Sequence, residues 1–267
     1  MKTDDYVLPS SQAESARLEQ QAALYGGTAF LQPFLDARPG RILDVGCGTG
    51  VFARHAAALL PDTKVVGLDA DAARIAFARA HCAAPNAHFE HGDLCAMPFP
   101  DNHFDLVYTR FVLVHAKDPT RALQEMARVT RPGGIVMAYD MVHDGIWFSP
   151  DKPAFSTLLR AAVSVMRERG MEPSQGLHLA PGMIRAGLVD VGVHVIPHAA
   201  LGSEPSFEAY RRNWADTVTG LGEILGERFD AGLVERAGEE LAQQRSDEFL
   251  LEITVLAHGR KPADTHR

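Results

Sequence analysis

The sequence predicts an α/β protein in which strands and helices alternate along the chain. The apolar residues Ile42, Leu43 and Val45 suit a short buried strand. Three glycines at alternate positions, Gly46, Gly48 and Gly50, follow directly. The next segment, residues 51–60, is rich in alanine and has an apolar spacing that favours a helix. A strand, a glycine turn and a helix in this order are typical of a nucleotide-binding unit, because glycine lets a ligand approach the backbone without meeting a Cβ atom.

The glycine pattern separates two kinds of nucleotide ligand. The redox dinucleotide fingerprint is G-x-G-x-x-G. This chain has G-x-G-x-G instead, and Val51 occupies the position of the third glycine of that fingerprint. Asp44 stands two residues before the first glycine. Since a carboxylate at this place repels a pyrophosphate and attracts an ammonium or sulfonium group, the loop favours a cationic ligand.

The pattern D-x-G-x-G-x-G at residues 44–50 resembles motif I of the class I S-adenosylmethionine-dependent methyltransferases, of the small-molecule type to which ubiquinone and menaquinone methyltransferases belong. Four further features follow in the family's order: an acid after the second strand, G-D-L at 92–94, F-D-L-V at 104–107 and R-P-G-G at 131–134. The resemblance covers residues 42–140. It implies a Rossmann-like seven-stranded, mostly parallel sheet whose last strand is antiparallel, with helices on both faces and a helical cap.

The resemblance also implies which residues hold S-adenosylmethionine, whose product is S-adenosylhomocysteine. Asp69 ends the second strand and suits the ribose hydroxyls, whereas Asp71 suits a helix N-cap. Tyr25 and Tyr6 could contact the cofactor, or they could simply bury their rings in the protein. Cys47 could contact the cofactor, or it could serve only as a small residue of the glycine loop. The cofactor-binding candidates are Asp44, Gly46, Cys47, Gly48, Gly50, Asp69, Ala70, Gly92, Asp93, Leu94, Thr109, Arg110, Tyr25 and Tyr6.

The chemistry implied is in-line displacement, in which the methyl group passes to an O, N or C nucleophile of a small molecule. The protein aligns the two partners, and a base helps where the acceptor is a phenol, an enol or a protonated amine. His115 and His143 are the catalytic candidates, although His115 also suits a histidine bonded to the backbone through both nitrogens. Residues just after the fifth strand often face the substrate in small-molecule members of this family, so His143, Asp144 and Trp147 are substrate-binding candidates. His178 and Trp214, in the region expected to form the cap, are further substrate-binding candidates as pocket liners. A surface loop with a half-buried tryptophan explains the region around Trp147 equally well.

The order of elements predicts four regions. Residues 1–40 form an N-terminal helical cover, with helices over 13–25 and 28–35, and residues 41–145 form the Rossmann-like core. Residues 146–260 hold cap helices and the last strands, and 261–267 form a disordered tail. After residue 145 we expect helices at 155–168 and 181–187, a strand at 191–197, a helical run at 206–244 interrupted at glycines, and a strand at 249–258.

Composition restricts the partners. The formal net charge of −8 argues against a general nucleic-acid binder, which would present a basic face. The three cysteines show no C-x-x-C spacing and suit reduced thiols in a cytoplasmic protein. The chain has no apolar run of membrane-spanning length and no signal-peptide core. We therefore expect a cytoplasmic monomer or homodimer with a small-molecule acceptor, and neither nucleic acid nor membrane as a partner. We expect no metal site, because His88 and His91 point to opposite faces of a strand.

Two other functions remain open from the sequence. One is a reaction without methyl transfer, such as a cyclisation in which S-adenosylmethionine serves as support. The other is methylation of protein or RNA. No Asn-Pro-Pro-Tyr-like motif follows the fourth strand, where residues 108–111 read Y-T-R-F, and this disfavours methylation of amides or nucleobase amines.

Overall fold

The computed structural model describes residues 12–25, 32–225 and 231–263. Its helices are α1 (Gln12–Leu24), α2 (Gln32–Asp36), α3 (Val51–Leu59), α4 (Ala72–His81), α5 (Pro119–Val129), α6 (Pro153–Glu168), α7 (Leu179–Arg185), α8 (Pro205–Leu225) and α9 (Ala231–Ala242). Its strands are β1 (Arg41–Val45), β2 (Lys64–Asp69), β3 (Ala87–His91), β4 (Phe104–Arg110), β5 (Thr130–Ser149), β6 (Val189–Leu201) and β7 (Phe249–Arg260).

The seven strands form one sheet in the order β3-β2-β1-β4-β5-β7-β6. Strands β1 to β5 pair in parallel, and β7 is antiparallel to both of its neighbours. The predicted fold, a mostly parallel sheet with an antiparallel last strand, is confirmed. The strand order reverses between β1 and β4, which is where open α/β sheets bind ligands beyond the carboxyl ends of their strands.

Helices cover both faces of the sheet, as predicted. One apolar cluster joins the sheet to α3, α4, α6, α8 and α9 and includes Phe52, Ile75 and Phe207. The other joins the opposite face to α5 and α7 and includes Leu123 and Met183. Because β1 lies between two strands and two helical layers, all its residues from Ile42 to Val45 are buried. The core therefore fixes the position at which β1 ends and the glycine loop begins.

Helix starts follow the local sequence closely. Asp71 caps α4 by accepting hydrogen bonds from the backbone N–H groups of Ala73 and Arg74, which confirms the predicted N-cap. Asp118 caps α5 in the same way, and Pro119 occupies the first turn. The proline fits because the first helical N–H has no partner within the helix.

Differences from the predicted boundaries lie mainly in the second half of the chain. The helical run expected at 206–244 is two helices, α8 and α9, and β6 and β7 extend beyond the predicted 191–197 and 249–258. These strands lengthen because they pair with each other and with the extension of β5. The R-P-G-G segment at 131–134 is not a separate turn before β5. It lies inside the irregular first part of that strand, where Gly133 has a φ of 74°.

The cap is built from helices distant in sequence. Helix α1 contacts α8, and α8 contacts α6 and α9. The beginning of the predicted second helix, at 28, and tail residues 264–267 lie outside the described residues. Across the ranges that the structure covers, no helix has the length and hydropathy needed to cross a membrane.

Candidate active site

The glycine loop closes one side of a pocket at the carboxyl ends of β1, β2 and β4. Gly46 has a φ of 68°, and a Cβ atom added there would lie 2.4 Å from Cγ2 of Val112. Its N–H donates to the carbonyl oxygen of Leu68 at 2.7 Å. Both the left-handed backbone and the close approach require glycine at this position.

Asp69 ties the end of β2 to the glycine loop. Its Oδ2 accepts a hydrogen bond from the N–H of Gly48 at 2.8 Å, and its Oδ1 accepts from the N–H of Asp71 at 2.9 Å. The side chain is buried, and this burial raises the pKa of the Asp69 carboxyl above its ordinary value. Because a carboxylate has about four acceptor positions, each oxygen retains capacity for one further donor, such as a ribose hydroxyl.

Asp44 places a second buried carboxyl at the pocket. It is 4% exposed, and its Oδ2 has no hydrogen-bond partner among the described residues. Desolvation raises the pKa of Asp44 to about 7, while the nearby guanidinium of Arg110 acts in the opposite direction. A buried carboxyl without a partner is unfavourable unless a ligand supplies one, and an ammonium group does so.

Most of the predicted cofactor residues line this pocket together. Ala70 follows β2, and Gly92 and Leu94 follow β3, so the strand order separates them from His115 and His143, which lie after β4 and on β5. His91 Nε2 lies 3.0 Å from the carbonyl oxygen of Ala70. The predicted residues that line the pocket are Asp44, Gly46, Cys47, Gly48, Asp69, Ala70, Gly92, Leu94 and Arg110.

Other cofactor candidates have structural partners instead. Asp93 accepts a hydrogen bond from the N–H of Cys95 at 2.8 Å, and Thr109 Oγ1 donates to the carbonyl oxygen of Val45 at 2.9 Å. Gly50 packs against Phe89. The hydroxyl of Tyr25 donates to Glu252 at 2.6 Å, so ring burial with a bonded hydroxyl describes this residue. These four do not line the pocket, and Tyr6 lies outside the described residues.

The two histidine candidates lie together at the other end of the pocket. His143 Nδ1 contacts the carbonyl oxygen of Pro173, and because a carbonyl only accepts, the proton of the neutral ring is on Nδ1. Nε2 therefore carries a lone pair. Burial is the main reason that the pKa of His143 lies below its ordinary value. Burial also lowers the pKa of His115 to about 3, so both rings are neutral near pH 7.

The substrate-binding candidates divide into two groups. His143 and Trp214 line the pocket. Asp144 is exposed and accepts hydrogen bonds from Ser174 and Arg167. Trp147 is 49% exposed on the sheet face opposite Phe148, because successive side chains of a strand alternate. His178 lies on the surface beside Glu172. Asp144, Trp147 and His178 do not reach the pocket, which corrects their predicted placement.

Sequence analysis missed several pocket residues on the two helices that cover it. Helix α1 contributes Arg17 and Gln21, and α8 contributes Asn213 and Thr217. Arg17 Nη1 lies 3.5 Å from Asn213 Oδ1, so these helices meet over the pocket. Leu18 and Gln21 lie three residues apart and therefore share one face of α1. This spacing does not show which part of the protein that face contacts.

Comparison with known proteins agrees with the fold and the pocket. Residues 42–134 match the family model described as "Methyltransferase domain". This match lies within residues 42–140, the segment on which the resemblance to the class I S-adenosylmethionine-dependent methyltransferases rests.

Among curated proteins, an uncharacterized methyltransferase of Schizosaccharomyces pombe is 33% identical over 58% of this chain and 58% of its own length. A demethylmenaquinone methyltransferase of Renibacterium salmoninarum is 35% identical over 54% of this chain and 59% of its own. The matches therefore span less than two thirds of these relatives.

A solved structure of Haemonchus contortus phosphoethanolamine N-methyltransferase 2 is similar in fold. It contains phosphomonomethylethanolamine and S-adenosylhomocysteine. Its TM-score is 0.60 at 20% identity, and the match covers 94% of this chain and 58% of that one.

Proposed function

We propose that this chain is a methyltransferase that transfers the methyl group of S-adenosylmethionine to an O, N or C nucleophile of a small molecule. The buried, unpartnered Oδ2 of Asp44 carries the proposal, because it supplies a cation-binding acceptor beside the glycine loop. The residues present fit the cofactor. Asp44 binds its ammonium group and Asp69 binds its ribose, while Gly92 and Leu94 border the base.

When bound, S-adenosylmethionine supplies an electrophilic methyl group that an aligned nucleophile can displace. The pocket walls hold the acceptor in line and exclude water. His143 takes the acceptor proton at Nε2, because its Nδ1–H is fixed on the carbonyl oxygen of Pro173. Burial lowers the pKa of His115 to about 3, which makes this ring a poor base near pH 7.

The covered pocket supports a small acceptor in preference to a polymer. Arg17 of α1 and Asn213 of α8 meet above it, and both side chains are buried. The formal net charge of −8 also disfavours RNA. The three cysteines are unpaired thiols, in agreement with the proposed cytoplasmic location.

The test is incubation of the purified chain with S-adenosylmethionine labelled in its methyl group and a metabolite extract. We expect label in small molecules, with an equal amount of S-adenosylhomocysteine. Label in protein or RNA would contradict the small-molecule acceptor. Conversion of a metabolite without consumption of S-adenosylmethionine would contradict methyl transfer and indicate a cyclase-like reaction.

The Asp44→Asn variant should lose this activity, whereas the matched control Asp62→Asn should keep it. Asp62 is exposed in the turn after α3 and does not contact the pocket. Equal activity of the two variants would remove the assigned role of Asp44.

A further inference from the structure

Glu252 is a fully buried acid on β7 that the proposed chemistry does not use. Its Oε2 accepts a hydrogen bond from the hydroxyl of Tyr25 at 2.6 Å, and its Oε1 accepts from Nε1–H of Trp214. Tyr25 follows α1 directly, and Trp214 lies on α8. The carboxylate of Glu252 on the sheet therefore binds both Tyr25, next to α1, and Trp214, on α8, and these are the two helices that cover the pocket.

Both rings contact the walls of the pocket. Tyr25 packs edge-on against Phe111 with ring centroids 5.2 Å apart, and Phe111 lines the pocket. Trp214 lines the pocket itself and stands edge-on to the proposed base, His143, at 6.5 Å. A displacement of either ring would change the shape of the acceptor end rather than the cofactor end.

We propose that Glu252 is a positioning residue whose carboxylate fixes Tyr25 and Trp214, and with them the acceptor end of the pocket. This inference rests on the proposed function, because the acceptor end is defined by His143. Burial of a carboxylate is unfavourable compared with a well-packed apolar side chain. The two hydrogen bonds offset that cost only while both cover rings remain in place.

The ionised form of Glu252 accepts both hydrogen bonds. An indole N–H can only donate, whereas a tyrosine hydroxyl can donate or accept. A protonated carboxyl, or an amide, can keep its bond to Trp214 with its accepting oxygen and present its donor to the Tyr25 oxygen. Protonation therefore reverses the hydrogen bond to Tyr25 and turns the hydroxyl proton of Tyr25 away from Glu252, which changes the contact on the α1 side.

The groups around Glu252 do not titrate near neutral pH. Burial of Glu252 itself raises its pKa to about 7. The titratable groups that face it are Tyr25, Tyr139 of β5, His198 of β6 and Tyr210 of α8. Thr254 hydrogen-bonds to Tyr139 and His198, and His198 also contacts the hydroxyl of Tyr210. Desolvation raises the pKa of all three tyrosines above the ordinary 10 and lowers the pKa of His198 to about 4. His143 stands edge-on to Trp214, and burial also raises the pKa of Asp140 on β5 to about 7. A change near pH 7 at Trp214 is therefore assigned to Glu252 only if Glu252→Gln abolishes it.

The experiment uses Trp214 fluorescence in the full chain without ligand. The sequence has two tryptophans, so Trp147→Phe leaves Trp214 as the only one. In this background, emission should change in one step near pH 7 when the pH is varied from about 5.5 to about 8.5. Glu252→Gln should abolish the step. Asp44→Asn should leave it unchanged, although Asp44 also titrates near neutral pH.

A conservative variant protects the test against failure of Glu252→Gln to fold. Tyr25→Phe keeps the ring and removes one hydrogen bond to the ionised carboxylate, a bond that lowers the pKa of Glu252. The fluorescence step should therefore move to higher pH. An unchanged midpoint in Tyr25→Phe, or a step that persists in folded Glu252→Gln, would overturn the proposal.

Binding and turnover separate a positioning role from a purely structural one. Glu252→Gln should bind S-adenosylhomocysteine within about threefold of the parent, and its methyl transfer should fall about 10- to 100-fold. Glu248→Gln is the matched control, since Glu248 is also buried but pairs with Lys152 at 2.9 Å and does not line the pocket. It should lose stability without changing the Trp214 step.

Unchanged methyl transfer in folded Glu252→Gln would contradict the proposal. Failure of the parent chain to bind S-adenosylhomocysteine would contradict the proposed function instead, and the fluorescence step would still be measurable.

Discussion

The carboxylate of Asp69 accepts a hydrogen bond from the backbone N–H of Gly48 at 2.8 Å. The last residue of β2 thereby holds the glycine loop that follows β1. The two segments are 21 residues apart in sequence, and the contact exists because β1 and β2 are adjacent and parallel. Loop shape and the proposed ribose binding thus depend on the same side chain.

Asp69→Ala should weaken S-adenosylhomocysteine binding roughly 10- to 100-fold, because it removes charge-assisted hydrogen bonds of about 1.5–3 kcal/mol. The substitution also leaves the Gly48 N–H without its acceptor. Calorimetry measures this directly. Asp62→Ala, on the surface, serves as the control. Equal affinities in the two variants would refute ribose binding by Asp69.

Binding of S-adenosylhomocysteine should depend on the pH through Asp44. Since its pKa in the free protein is about 7 and an ammonium ligand requires the carboxylate, affinity should rise with pH up to about 7 and then level off. Calorimetry in buffers of different ionisation enthalpy should show proton release below that pH. Asp44→Asn should abolish both effects, and a proton release that persists in this variant would exclude Asp44 as its source.

Asp44 should also lower the stability of the folded chain at alkaline pH. The pKa of Asp44 is higher in the folded state than the ordinary 3.8, so its contribution to stability is greatest in acid and is lost as the pH rises from 3.8 to about 7. Asp44→Asn should therefore raise the Tm at pH 8 although it weakens ligand binding. Thermal unfolding of both proteins at pH 8 and at pH 4 checks this, and an equal gain at both values would contradict it.

His143→Gln should lower kcat about 10²- to 10⁴-fold, the range expected for loss of a general base. Affinity for S-adenosylhomocysteine should stay the same, because His143 lies at the acceptor end. His55→Gln, exposed on α3, is the control. Full kcat in His143→Gln, measured with an acceptor whose nucleophile must lose a proton, would exclude His143 as the base.

Gly46→Ala should destabilise the chain more than Gly170→Ala. Both glycines have positive φ, 68° and 80°, so each substitution carries the left-handed cost of about 1–2 kcal/mol. Only at Gly46 does the new Cβ atom collide with Val112. Urea unfolding should show the difference, and Val112→Ala should recover part of it. Equal losses at the two glycines would show that the collision is relieved without cost.

Much of the cofactor side was predictable from local sequence. Asp44 and Asp69 lie at the carboxyl ends of β1 and β2, and the glycines and G-D-L follow β1 and β3 directly. Parallel strands bring their carboxyl ends to one edge. Because these motifs recur at strand ends, the sequence predicted the sheet that the structure shows and the methyltransferase domain that the family model matches. The assignment of individual residues to cofactor atoms remains a prediction.

The acceptor side was less predictable. Asp144, Trp147 and His178 were selected for polarity and loop position, but β5 continues through the supposed loop and turns Trp147 away from the cap. Arg17 and Asn213 are 196 residues apart in sequence, and their helices meet only in the folded chain. No local pattern therefore indicated that these two residues line the pocket.

The sequence by itself determined the α/β order, the left-handed glycine loop and the carboxyls at the ends of β1 and β2, because these follow from neighbouring residues and strand ends. Only the tertiary structure decided which helices cover the pocket and why Glu252 is buried. Those features depend on long-range packing, in which β7 brings one carboxylate between Tyr25 and Trp214, and no local pattern encodes that meeting.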